Sequence, residues 1–323
     1  MSARIFRSLA EARGHFGPCA LAIGNFDGVH IGHQRLIADT VQAAAASDLI
    51  PAVITFDPHP MTVVAPERTP ALICSVEERL RLIEAAGARH MLLLEFTQQL
   101  AQLSPEAFVA DVLVNALDSK VLLVGENFRF GHRQAGTSEV LKALGKTYGF
   151  SACFLPPVRF GDQIVSSTAI RSLLATGDVA QAAHLLGRWY SLKGPVISGR
   201  GIGSKQTVPT LNLKYPSGLQ IPPGIFVTET REPATGRRWD SVTSCGHNPT
   251  FGATELTVET YLLTRLEGAT PENIEVEFRH FLRAEQTYPD AASLKAQIMR
   301  DVAEAEAYWQ LAEKLMPPTP SIY

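Results

Sequence analysis

The chain has 323 residues, 46% of them hydrophobic, enough for two domains with ordinary cores. A net charge of -3 argues against a nucleic acid or a membrane surface as partner; small molecules are expected instead, and the oligomeric state stays open. Four scattered cysteines without a CxxC pair, no apolar stretch of membrane-spanning length and no signal-like N-terminus lead us to expect a soluble cytoplasmic protein with buried thiols.

Up to about residue 187, short apolar runs alternate with stretches of helical period. Strands are expected at 19–23, 52–56, 90–96, 120–124 and 151–155, with helices between them at 32–46, 76–86, 105–117 and 138–148. Ser75 and Ser104 stand where N-caps belong, with Glu78 three residues after Ser75. Nearly continuous apolar strands interleaved with helices imply an α/β domain, a Rossmann-like parallel sheet covered on both faces. Its ligands would sit beyond the carboxyl ends of the strands. From Trp189 strands follow one another, at 192–198, 210–215, 225–229, 241–245, 256–263 and 274–282, before one helix from about 292 to 315. Such a run folds as a small β-barrel with the helix packed on it. The change of rhythm near Gly187-Arg188 divides the chain into domains 1–187 and 188–323.

The stretch Ile23-Gly24-Asn25-Phe26-Asp27-Gly28-Val29-His30-Ile31-Gly32-His33 joins the first expected strand to the first helix. A helix N-terminus presents unpaired N–H groups and the positive end of its dipole, a setting for phosphate. Imidazoles placed there donate to phosphate oxygens and offset the charge that builds on a leaving pyrophosphate. A metal on His30 and His33 is the competing reading, but no Cys, Glu or third His nearby completes a zinc set. Thr55-Phe56-Asp57-Pro58-His59-Pro60 ends the next strand in a stiff turn, a pocket wall carrying Asp57 and His59. Gly125-Glu126-Asn127-Phe128-Arg129-Phe130-Gly131 offers an amide, a guanidinium and two rings to a flat polar ring or a phosphate. Ser166-Ser167-Thr168-Ala169-Ile170-Arg171 opens a helix, with hydroxyls at its start and an arginine one turn in. In the second half, Gly199, Gly201 and Gly203 allow backbone to approach phosphates. Thr210 and Asn212 supply neutral oxygens, and Glu259 is a strand carboxylate able to serve as a base.

In that order the motifs GNFDGVHIGH, TFDPHP, VGENFRFG and VSSTAIR resemble the adenylyltransferase module of the bacterial bifunctional riboflavin kinase/FMN adenylyltransferase (FAD synthetase) family, and the resemblance covers nearly the whole chain. It implies an HxGH nucleotidyltransferase fold in which His30 and His33 contact ATP phosphates beside Gly24, Asn25 and Phe26. Arg171 would close over them with Ser166, Ser167 and Thr168, and Asn127, Phe128 and Arg129 would help hold nucleotide or flavin.

The second half resembles the family's riboflavin kinase module through the run from Gly199 to Asn212, through Val258-Glu259-Thr260-Tyr261, and through Arg283 and Glu285. By that resemblance Thr210 and Asn212 serve ATP and Mg2+, Glu259 is the base for the riboflavin hydroxyl, and Arg283 belongs to the cofactor site. The chain departs from the family at Ser204, Gln206, Thr207 and Val208, and at Tyr261, where the family carries histidine. The resemblance implies riboflavin and ATP giving FMN and ADP, then FMN and a second ATP giving FAD and pyrophosphate. The alternative is adenylyl transfer alone, with a second domain that binds flavin or nucleotide as a sensor.

Overall fold

The computed structural model describes residues 2–197, 210–247 and 256–312, and the chain divides into two compact units, Met1–Ser167 and Thr168–Tyr323. The expected phosphate-loop residues Gly199, Gly201 and Gly203 lie outside the described residues, as does the end of the last expected helix.

The first unit is built on β1 (Arg4–Phe6), β2 (Cys19–Ile23), β3 (Ile50–Asp57), β4 (His90–Glu95), β5 (Ser119–Gly125) and β6 (Ser151–Leu155). They form one parallel sheet in the order β1-β4-β3-β2-β5-β6. Every residue of β2 is buried, because helices cover both faces. Leu21, Ile23, Ile54, Leu92 and Leu122 join Phe108 and Val112 in one core layer. Ala22, Val53, Met91 and Leu123 join Ile37, Leu80 and Ile83 in the other. The chain winds from β2 through β3 to β4 in one direction, then returns to place β5 on the other side of β2. That reversal is a topological switch point, and ligands of open α/β sheets bind in the crevice it leaves.

The helices Ile31–Ala46, Val76–Ala85 and Ser138–Tyr148 lie where the sequence places them. Ser75 Oγ accepts from Glu78 N at 3.2 Å, and Ser104 Oγ from Ala107 N at 3.1 Å, so both serines cap as expected. The stretch expected as a regular helix at 105–117 is α only over Pro105–Ala107 and continues as a π-helix over Phe108–Val114. Its buried pairs, Phe108-Val109 and Val112-Leu113, are followed by Ala116-Leu117. They recur every four residues, a longer period than the 3.6 of an α-helix, and the wider turn keeps all of them on the core. The buried-thiol expectation holds for Cys19, Cys74 and Cys245, whereas Cys153, on the outer strand β6, is exposed.

A short antiparallel pair, β7 (Arg159–Phe160) and β8 (Gln163–Ile164), follows in the first unit. The second unit opens with helical residues of Ser167–Ala175 and the helix Val179–Leu186, followed by β9 (Tyr190–Ile197), β10 (Thr210–Leu213), β11 (Gly224–Arg231), β12 (Arg238–His247), β13 (Leu256–Leu262) and β14 (Asn273–Arg283). These six strands close into an antiparallel barrel in the order β10-β13-β12-β11-β14-β9. Its interior holds Tyr190, Phe226 and Phe278 together with a chain of buried hydroxyls, Thr230, Ser241, Thr228, Thr243 and Thr260, linked at 2.7 to 3.0 Å. Ser241 Oγ donates to the Thr228 carbonyl at 2.9 Å and accepts from its hydroxyl neighbours, so the network satisfies polar groups that would otherwise be costly to bury. The helix Ala291–Ala312 packs Ala305 and Trp309 against Ile225, Val227 and Val242 on the outer face of the barrel. Arg283 and Asp301 lock that helix to β14 through paired bonds of 2.9 and 2.7 Å.

Candidate active sites

The turn after β2 leads straight into the helix Ile31–Ala46, and His30 is that helix's N-cap. Its Nδ1 accepts from His33 N at 3.2 Å, so the neutral ring carries its proton on Nε2, as a donor. The His30 and His33 rings stack in near-parallel planes, with centroids 3.6 Å apart and 13° between planes. Imidazole lone pairs lie in the ring plane, so stacked rings do not aim two nitrogens at one metal. Phe26 backs His33 at 5.0 Å between ring centroids. Burial, assisted by the neighbouring His30 and Arg79, holds the His33 imidazole well below its ordinary 6.5, so the ring is neutral at pH 7.

Strain is concentrated in the turn itself. Phe26, Gly28 and Val29 all have positive φ, at 50°, 79° and 39°, a region that costs a β-branched residue most. A Cβ on Gly28 would stand 2.9 Å from Ile73 Cγ2, so both φ and space demand glycine there. Neighbouring segments hold the turn in place. Asp27 Oδ1 accepts from Ile73 N at 2.9 Å and Cys74 N at 3.4 Å, Gly28 N donates to Cys74 Sγ at 3.3 Å, and Ser167 Oγ donates to the Asp27 carbonyl at 2.8 Å. Asp27 and Ser167 therefore shape the turn, and Asp27 is 1% exposed.

The end of β3 forms the adjoining wall. His59 Nδ1 accepts from Met61 N at 3.2 Å, which places the proton on Nε2, and Nε2 lies 3.2 Å from the Asn25 side-chain amide. The bond requires the amide oxygen of Asn25 to face His59. Asn25 and His59 thus meet, and Asp57 is the last residue of β3. Beneath the wall is a residue the sequence does not announce. Arg79 is 2% exposed and donates from Nη1 to Phe56 O at 2.8 Å and to Asn25 O and Thr55 Oγ1 at 3.1 Å. On the chain it reads as one more charge on an amphipathic helix.

Across the switch point, the loop after β5 carries Asn127, Phe128 and Arg129. Phe128 is half-buried and stacks on the buried Phe130, with 5.6 Å between centroids and 13° between planes. Asn127 and Arg129 are exposed, and Arg129 Nη1 donates to the Phe128 carbonyl at 3.0 Å. Gly24, Asn25 and Phe26 therefore lie at the end of β2 next to this loop's strand, as expected of a pocket at the sheet edge. Ser166 precedes the helix Ser167–Ala175, Thr168 is exposed near its start, and Arg171 lies one turn in.

In the second unit, register brings the expected kinase residues together. Asn212 on β10 is directly opposite Glu259 on β13, and Glu259 is directly opposite Ser244 on β12. Thr210 faces Tyr261 in the same ladder. Register partners project to one face, and alternate residues Leu211, Val258 and Thr260 are buried inside the barrel, so Thr210, Asn212, Ser244 and Glu259 share its outer face. Arg283, at the end of β14, pairs through its guanidinium with Asp301. Glu285 fills the space that a Cβ on Gly246 would take, and with burial its charge raises the Cys245 thiol.

A family model described as FAD synthetase matches residues 13–169, and one described as riboflavin kinase matches residues 186–309. The bifunctional riboflavin kinase/FMN adenylyltransferase of Haemophilus influenzae is 31% identical over 306 residues, spanning 95% of this chain and 99% of the relative. The chain belongs to the bifunctional riboflavin kinase/FMN adenylyltransferase family. The Escherichia coli K12 member is 32% identical over 301 residues, covering 91% of this chain and 94% of its own. A solved structure titled as a macrolide-efflux protein from Streptococcus pneumoniae superposes with a TM-score of 0.83 at 25% identity, covering 95% of this chain and 99% of its own. Among the described residues no helix is long and apolar enough to cross a membrane.

Proposed function

We propose that this chain makes both flavin cofactors, converting riboflavin to FMN in the barrel module and FMN to FAD in the sheet module. The stacked histidine pair capping a helix at the sheet's switch point carries the reading. The FMN phosphate is already ionised and attacks the α-phosphorus of ATP; the α–β bridging bond breaks and pyrophosphate leaves. No strong base is needed, so the protein's contribution is alignment and offset of charge. His30 Nε2–H donates to the phosphates, and neutral His33 fixes His30 through its stacked ring and its backbone N–H. Asn25, Asp57 and His59 form one wall, and Asn127, Phe128 and Arg129 receive nucleotide or flavin. Arg171, with Ser166 and Thr168, adds positive charge and donors at the phosphates, while the Ser167 hydroxyl holds the turn through the Asp27 carbonyl.

In the kinase step Glu259 accepts the proton of the riboflavin 5′-hydroxyl as its oxygen attacks the γ-phosphorus, and ADP leaves. Thr210 and Asn212 offer hard, neutral oxygens on the face that carries Glu259, a donor set suited to Mg2+. Bound there, Mg2+ would neutralise charge on the ATP phosphates. We assign adenylyl transfer to 1–187 and phosphorylation to 188–323, in the cytoplasm where ATP and reduced thiols are available. The test is to incubate the chain with riboflavin, ATP and Mg2+ and separate the flavins. FMN and FAD together support the assignment. FAD from supplied FMN without FMN from riboflavin would reduce the barrel to a binding module, and no FAD from FMN would refute the adenylyl-transfer reading.

A further inference from the structure

Arg79 is a buried cation whose hydrogen bonds all end on neutral oxygens: the Asn25 and Phe56 carbonyls and the Thr55 hydroxyl. Its Nε is buried without a partner, and no carboxylate pairs with it among the described residues. A buried charge lacking a counter-charge is costly, and a well-packed apolar side chain of similar volume would serve stability better. The three acceptors reveal where the cation acts. Asn25 belongs to the turn that ends in His30, whereas Thr55 and Phe56 begin the wall that ends in His59. Thr55 Oγ1 also donates to Asn25 O, at 2.9 Å, so one guanidinium and one hydroxyl tie the two motifs together from beneath. The Arg79 charge also reaches His33, where burial, His30 and this charge together lower the ring's affinity for a proton, and His33 Nδ1 is likewise buried without a partner.

We propose that Arg79 is a positioning residue for adenylyl transfer, clamping the Asn25 turn to the end of β3 and supplying fixed positive charge behind the site that receives the ATP phosphates. The proposal rests on the adenylyl-transfer reading of that turn. Arg79 is too deeply buried to touch substrate and acts through the backbone it holds. An anion bound in front of it provides the counter-charge that the fold omits, and the charge is most valuable when negative charge grows on the departing pyrophosphate. Its loss is therefore expected to reduce kcat more than ATP binding.

The experiment uses the full chain and measures FAD formation from FMN and ATP, with riboflavin phosphorylation as the control for folding. Arg79→Met should lower kcat for FAD by ~10²-fold, the scale of a displaced catalytic turn, with a much smaller change in KM for ATP. Arg79→Lys keeps the charge and three donors, and should recover to within about tenfold of wild type. Thr55→Val removes one anchor while keeping shape and charge, and should lower kcat for FAD several-fold while the chain stays folded. Wild-type kcat in Arg79→Met would overturn the proposal, as would a folded Arg79→Lys no better than Arg79→Met. If Arg79→Met does not fold, undiminished kcat in Thr55→Val overturns it instead. A wild-type chain that makes no FAD from FMN fails the functional reading itself, before any variant is measured.

Discussion

His30 has two separable tasks, and one substitution divides them. As N-cap it accepts the His33 N–H through Nδ1 at 3.2 Å, and in the proposed reaction its Nε2–H donates to phosphate. Loss of a cap costs ~0.5–2 kcal/mol, whereas loss of one preorganised donor to a developing charge costs ~10²–10³-fold in kcat. Asparagine caps helices well but cannot place a donor where Nε2 stands. His30→Asn should therefore unfold in urea within about 0.5 kcal/mol of wild type while forming FAD from FMN ~10²–10³-fold more slowly. His30→Ala should lose the cap as well, unfolding about 1 kcal/mol earlier with a similar rate loss. Riboflavin phosphorylation should persist in both, because His30 and Glu259 lie in different units. The assay is chromatographic separation of FMN and FAD at saturating ATP, paired with urea unfolding of each variant. A His30→Asn chain that makes FAD at nearly the wild-type rate would refute the donor role. Equal loss of both activities would refute the separation of sites.

Three further outcomes follow from the geometry. His33 titrates below its ordinary 6.5 in the folded chain, so between the two values the unfolded chain binds more protons and stability rises with pH. Its contribution is complete above 6.5 and drains as pH falls, by up to about 1.4 kcal/mol per pH unit; urea titrations across that range should be flatter for His33→Phe, and equal slopes would refute the buried neutral ring. Glu259→Gln should cut FMN formation by ~10²-fold or more and leave FAD formation from supplied FMN intact; undiminished phosphorylation would remove Glu259 as base. Asp301→Asn should leave Arg283 short of its charged partner and destabilise the barrel unit by ~1–3 kcal/mol, read as earlier loss of its unfolding transition; an unshifted transition would show that the pair contributes nothing net.

The strands and long helices of the first unit were legible because their physics is local. β2 and β6 begin and end where their apolar runs do, and the serine caps sit one residue before their helices. β1 escaped notice because three residues carry no periodicity, and it gains its place by pairing with the distant β4. The helix pair 167–175 and 179–186 was legible only as the opening of its first member, since nothing local announces that Gly177 must fit against Phe281 of β14. A Cβ there would stand 2.9 Å from that ring, so a tertiary contact decides the residue.

The same distinction separates the visible half of the adenylyl site from its hidden half. Histidines, glycines and prolines are conspicuous in sequence because their chemistry or backbone freedom is unusual. The residues that hold them are not: Asp27 anchors the segment at Ile73 and Cys74, and Arg79 reaches Asn25 from a helix whose pattern reads as plain amphipathicity. A turn with three positive-φ residues is unfavourable alone, so its conformation must be imposed from outside. The barrel site works the other way. There the strand ladder itself sets Asn212 and Ser244 on either side of Glu259, and a one-residue slip of β13 would send Glu259 to the opposite face. The buried Thr260 hydroxyl opposes that slip, because it would lose its bond to Thr243, so the residue that fixes the position of Glu259 is one facing away from it.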